Sequence, residues 1–210
     1  GSKTPYRVCM HQIRDRLMAT LRWTEAQLND TGINKEIPIQ SKAELLEPLS
    51  ACYDALTKVG LHRVADGELL DTIRRVQCFG INLVPLDVRQ DSERHVKALQ
   101  EIVAHVGLGD YEAWDEARRQ AFLYEQLNNK RPLVPRHWQP SADTLEVLNT
   151  CTVVANEPAE TLSHYIISMA QQPSDVLAVA LLLRESGVTW NVPIVPLFET
   201  LADLDRAPRV

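Results

Sequence analysis

The sequence predicts an α/β protein with a large helical part: a helical block followed by part of a TIM-type barrel of about three parallel strands. Two observations carry this prediction. Residues 3–80 repeat their apolar side chains at helical spacing, and residues 81–210 then alternate strand-like and helix-like stretches in the order β-α-β-α-β. That alternation favours a parallel sheet, because the chain needs a helix to carry it back between parallel strands. A closed barrel takes about eight strands. The stretches here would make part of one, and a small open sheet is the competing architecture.

The elements follow in order. Cys9, Ile13, Leu17 and Leu21 recur every fourth residue and predict a helix over 4–30, after an expression scar at Gly1-Ser2. "NDTGINKEIPIQ" breaks the pattern with Gly32 and Pro38 and reads as a loop. Ser41 with Glu44 forms a capping box that opens a helix over 41–60. "ADGELLDTIRRVQCFG" predicts a third helix, N-capped by Asp66 and closed by Gly80. "INLVPLDVRQ" then predicts a strand over 81–90, and "DSERHVKALQEIVAHVG" a helix with Val96, Leu99, Ile102, Val103 and Val106 on one face. Residues 110–129 have helical character, "RPLVPRHWQP" (131–140) is extended, and Ser141 or Asp143 caps a helix to about Ala155. "SHYIISMA" lies in a buried strand, 162–169. "QPSD" is a turn with a cap at Ser174, "VLAVALLLRESG" a helix ending at Gly187, and "NVPIVPLFET" a strand over 191–199 that ends in Glu199. "LADLDRAP" begins another helix.

Composition narrows the function classes. The chain has 210 residues, 45% hydrophobic and 24% charged, with a net charge of −6 and no basic block. That balance argues against a nucleic-acid surface. The most apolar stretch is broken by Arg184, so no membrane span is expected. Cys9, Cys52, Cys78 and Cys151 are scattered in apolar contexts and read as reduced, which points to a cytoplasmic location. His11, His62, His95, His105 and His164 have no His or Cys at metal-ligand spacing and read as packed or solvated. Motifs for serine hydrolases, zinc proteases and nucleotide loops are absent.

Functional residues in parallel α/β folds gather at the C-terminal ends of strands. The tips here offer Asp87, Arg89 and Gln90, then Ser168 and Met169, then Glu199 and Thr200. Arg89 carries a planar, permanently charged fork suited to a carboxylate or phosphate. A structural ion pair with Asp87 is its competing role. Glu199 offers a hard oxygen ligand suited to Mg²⁺, with a capping or surface role as the alternative.

These residues sit in blocks that resemble a known family. "TPYRVCMHQIRDRLMAT", "LLDTIRRVQCFGINLVPLDVRQDSERH", "YIISMAQQPSDVLAVALLLRESG" and "VPIVPLFETLADL" resemble, in this order, the central part of bacterial-type phosphoenolpyruvate carboxylases. The resemblance implies a cytoplasmic, allosteric homotetramer built around an α/β barrel and dependent on Mg²⁺ or Mn²⁺. It would convert phosphoenolpyruvate and bicarbonate to oxaloacetate and phosphate. It implies that Glu199 in "LFET" binds the metal and that Arg89 in "DVRQ" is a catalytic, substrate-binding arginine. Asp87 would then orient Arg89 by a charge-assisted hydrogen bond. The family's "GYSDSAKD"-, "THPT"- and "GRGG"-like motifs do not occur in this chain. The sequence therefore reads as a fragment, inactive alone and able to self-associate through its strands. A structural or oligomerisation module, or another enolate-handling barrel enzyme, are the competing functions.

Overall fold

The computed structural model describes residues 4–29, 36–135 and 137–210. The chain divides into two compact units, one ending at Val84 and the other spanning Pro85–Val210. Gly1-Ser2 and residues 30–35 of the expected loop lie outside the described residues.

The first unit is helical. Helix α1 (Pro5–Leu28) starts with proline in its first turn, where the missing N–H costs nothing. It buries no residue, and Leu17 and Leu21 on its expected apolar face are exposed. Helix α2 (Ala43–Lys58) opens two residues later than predicted, with Lys42 as its N-cap and no side-chain cap, so only the Glu44 half of the expected capping box forms. The Glu44 carboxylate accepts from the backbone N–H groups of Gln40 and Ser41, which holds it below the usual carboxylate range.

The third helix differs from its prediction. It begins earlier, at α3 (His62–Val64), passes through a π-helical turn (Ala65–Leu69) and continues as α4 (Leu70–Phe79). Asp66 therefore lies inside the helical stretch and is not its N-cap; its carboxylate accepts instead from the Tyr53 hydroxyl at 2.9 Å. Gly80 ends α4 as predicted, at φ +56°. Ile39, Leu45, Leu49 and Ile73 form the core of this unit.

The second unit is a parallel three-stranded sheet, ordered β1 (Leu86–Asp91), β2 (Leu162–Ser168), β3 (Ile194–Pro196). The parallel β-α-β-α-β order is as the sequence predicts, and the architecture is helix-rich α/β. The strands are shorter than expected. Residues 81–85 form turns because Leu83 adopts φ +62°, so the alternation of "INLVP" does not describe a strand. β3 stops at Pro196, which leaves Glu199 beyond the strand.

Four helices cover one face of this sheet: α5 (Ser92–His105), α6 (Glu116–Asn128), α7 (Ala142–Asn156) and α8 (Pro173–Glu185). Tyr165 and Ile167 point from β2 into their core, against Leu99, Ile102, Leu123, Val147, Val179 and Leu182. Val106, expected on the buried face of α5, is exposed beyond the last turn. Carboxylates fix the helix starts. Asp91 caps α5, and Asp115 caps α6, which begins later than the predicted residue 110. Ser141 caps α7 while Glu101 accepts from its N–H and hydroxyl. Ser174 is not the cap of α8: that helix begins at Pro173, and Ser174 donates N–H and Oγ–H to Glu116. The final short helix is α9 (Leu201–Arg206), N-capped by Thr200.

The proline-rich segment packs on the helical side of the sheet. Leu133 joins that core, and the N–H groups of Leu133 and Val134 donate to Glu185. It therefore does not cover the opposite face of the sheet. β1 and β3 are edge strands among the described residues, and Leu86 beside that edge is exposed. Open strand edges pair with other chains. We expect self-association through this region at micromolar concentration; light scattering that returns only the mass of one chain would contradict this.

Candidate functional site

Parallel register brings the strand tips to one end of the sheet. Arg89 is level with Ile166 of β2, which is level with Val195 of β3. Just past β3, Thr200 and Asp203 form a capping box for α9, in which Asp203 accepts from the N–H groups of Glu199 and Thr200. This box holds the backbone of Glu199 and leaves its carboxylate free to point elsewhere. The carboxylate meets Arg89, whose Nη2 donates to Glu199 Oε1 at 3.0 Å. The two residues lie 110 positions apart in the chain. Both side chains remain more than half exposed, at 60% and 52%.

Asp87 behaves differently from its expected role. The partner that orients Arg89 is Glu199, whereas the Asp87 carboxylate faces His164, with Oδ1 3.1 Å from Nδ1. The same nitrogen lies 2.7 Å from Ser163 Oγ. Sequence reading gave His164 no role in the site. The signal for it lay in β2: Tyr165 and Ile167 are buried in the helical core, so strand alternation sends His164 to the other face with Asp87 and Arg89. The second strand tip serves the fold. Ser168 Oγ donates to the Gln90 carbonyl, and Met169, at φ +58°, accepts at its carbonyl from Ser92 Oγ.

The charged groups that meet here are one guanidinium and one carboxylate. Glu199 offers one carboxylate, and no group of three or more His, Cys, Asp or Glu side chains able to hold a metal occurs among the described residues. No helix is long and apolar enough to cross a membrane among those residues. The four cysteines are free; Cys52 and Cys151 are buried as expected, while Cys78 is exposed despite its apolar sequence context. The class defined here is an α/β protein with a parallel sheet and an exposed arginine–carboxylate ion pair at one end of it.

The family follows from comparison. The model of the phosphoenolpyruvate carboxylase family matches residues 1–210. Phosphoenolpyruvate carboxylases from Escherichia coli O1:K1 / APEC and from Shigella boydii serotype 18 are each 53% identical over 208 residues, 99% of this chain and 24% of theirs. The chain belongs to the phosphoenolpyruvate carboxylase family. It spans about a quarter of the length of the curated relatives it matches.

Proposed function

We propose that this chain supplies the Arg89–Glu199 part of the active site of a phosphoenolpyruvate carboxylase, which forms oxaloacetate and phosphate from phosphoenolpyruvate and bicarbonate. The observation that supports this reading is the meeting of Arg89 and Glu199 at one end of a parallel sheet, in a chain of this family. The three-stranded sheet is then an arc of a TIM-type barrel whose C-terminal end is the active face. A cytoplasmic location, a homotetramer and allosteric control belong to the same reading and rest on the family resemblance.

In this reading Arg89 binds an anionic group of phosphoenolpyruvate with its two-pronged fork. Glu199 is an oxygen ligand for Mg²⁺ or Mn²⁺, ions that keep much of their water and need only one or two protein carboxylates. Its half-exposed carboxylate fits that task in part, as one ligand of an incomplete set. A bound ion would supply the positive charge that stabilises an enolate oxygen. Exposed ion pairs contribute only about 0.2–1 kcal/mol. Arg89 therefore exchanges Glu199 for a substrate phosphate at little cost, and Glu199 acts as a placeholder that keeps the guanidinium aimed at the site. His164 and Asp87 brace β1 against β2 beside it.

Three measurements test this. In the full-length carboxylase subunit, Arg89→Lys keeps the charge and loses the fork, so substrate binding should weaken by about 1.5–3 kcal/mol. Glu199→Gln should raise the metal concentration needed for half-maximal activity; an unchanged metal requirement would remove Glu199 from the ligand set. The 210-residue chain alone should give no oxaloacetate above background in a coupled assay with phosphoenolpyruvate, bicarbonate and Mn²⁺, and steady turnover would refute that.

A further inference from the structure

Cys9 and Cys52 take no part in the site described above, yet the helical unit brings them together. Cys9 lies in α1 and Cys52 in α2. The Cys9 thiol donates to the Pro48 carbonyl at 3.8 Å. Pro48 lies one turn before Cys52 on the same face of α2, so the Cys9 thiol stands over the turn that ends in Cys52. Burial, and then the neighbouring Cys9 thiol, push the Cys52 thiol up to about 11. Cys52 is 7% exposed and Cys9 is half-buried, so an oxidant in solvent reaches Cys9 first.

The helix carrying Cys9 is loosely held. Helix α1 has no buried residue, and its ion pairs, Arg16 to Glu44 and Arg22 to Glu36, are solvent-exposed. Segments with few buried contacts open locally at low cost. A covalent link from Cys9 to α2 would therefore change the freedom of α1 more than it would change a packed helix.

We propose that Cys9 and Cys52 form a reversible redox pair, in which a peroxide converts the two thiols to one disulfide that ties α1 to α2. The Cys9 thiolate attacks hydrogen peroxide: an S–O bond forms, the O–O bond breaks, and hydroxide leaves to take up the thiol proton as water. The Cys52 sulfur then attacks the Cys9 sulfenic acid. The S–S bond forms, the S–O bond breaks, and a second water leaves carrying the Cys52 proton. Two thiols and one peroxide thus give one disulfide and two waters, and an external dithiol reverses the change. Cys52 is the resolving thiol, because it is the more buried of the two. Cys78 and Cys151 provide the contrast. The first is exposed and the second fully buried, with burial pushing its thiol up to about 12.

The test treats the full native chain with hydrogen peroxide, then counts thiols after denaturation and maps peptides without reduction. The expected result is a linked Cys9–Cys52 peptide and, in the Cys78→Ser protein, the loss of two of the three remaining thiols with Cys151 left free. Cys9→Ser or Cys52→Ser should abolish that link, and Cys78→Ser should preserve it. Amide exchange across α1 should slow on oxidation and recover with dithiothreitol. Oxidation confined to Cys78, or a Cys9–Cys52 link no more frequent than in the urea-unfolded chain, would overturn the proposal.

Discussion

Leu99→Ala is expected to destabilise the α/β unit by about 2–5 kcal/mol, the range for a buried leucine whose removal leaves a cavity. Leu99 has no exposed surface and lies in the core that joins α5, α7 and α8 to β2. Its neighbours Ile102, Val103, Val147, Tyr165 and Val179 are equally buried. A close-packed core of this kind collapses only partly into the space left behind. Urea unfolding followed by tryptophan fluorescence reads the effect, since Trp114, Trp138 and Trp190 all belong to this unit. A change below about 1 kcal/mol would mean that the helices move to close the gap.

Acid should weaken the same core through His95. This side chain is fully buried, its Nε2 is 2.9 Å from the Tyr165 hydroxyl, and its Nδ1 is buried without a hydrogen-bond partner among the described residues. Burial, aided by the Arg94 charge, lowers its pKa from 6.5 to about 4. Between those values the unfolded chain holds a proton that the folded chain does not, so acidification favours unfolding. The contribution is complete above pH 6.5 and is lost as pH falls toward 4, in total about 3 kcal/mol. His95→Gln keeps a group able to bond Tyr165 and cannot titrate. Its stability should therefore fall less steeply across that window, and an equal slope in both proteins would assign the acid sensitivity to other groups.

Much of the fold is legible in the sequence because its signals are local. The β-α-β-α-β order follows from alternating spacing, and Glu44, Ser141 and Gly80 mark helix ends through their own backbone neighbours. The misreadings arise where a distant partner decides. Ser174 looks like a cap but is bonded by Glu116, 58 residues away. Asp66 looks like a cap but is bonded by Tyr53 across two helices. The strand expected from residue 81 is cut short by one left-handed leucine, which apolar patterning does not reveal. The candidate site divides in the same way. Arg89 and Glu199 stand out individually as strand-tip charges, and only the parallel register shows that they meet. The pairing of Asp87 with His164 depends on which face of β2 the histidine takes, a choice made by the burial of Tyr165.

The meeting of Arg89 and Glu199 also measures a distance. Arg89 lies on the edge strand β1, and Glu199 lies three residues past the end of β3, with β2 between the two edge strands. Two strand spacings amount to about 9.5 Å, which only long side chains cross. An arginine and a glutamate together have that reach, and an aspartate gives up one methylene of it. The pair therefore works as a calliper set across the middle strand. A slip of β1 relative to β2 would carry the guanidinium away from the carboxylate, so the pair reports the register of the sheet.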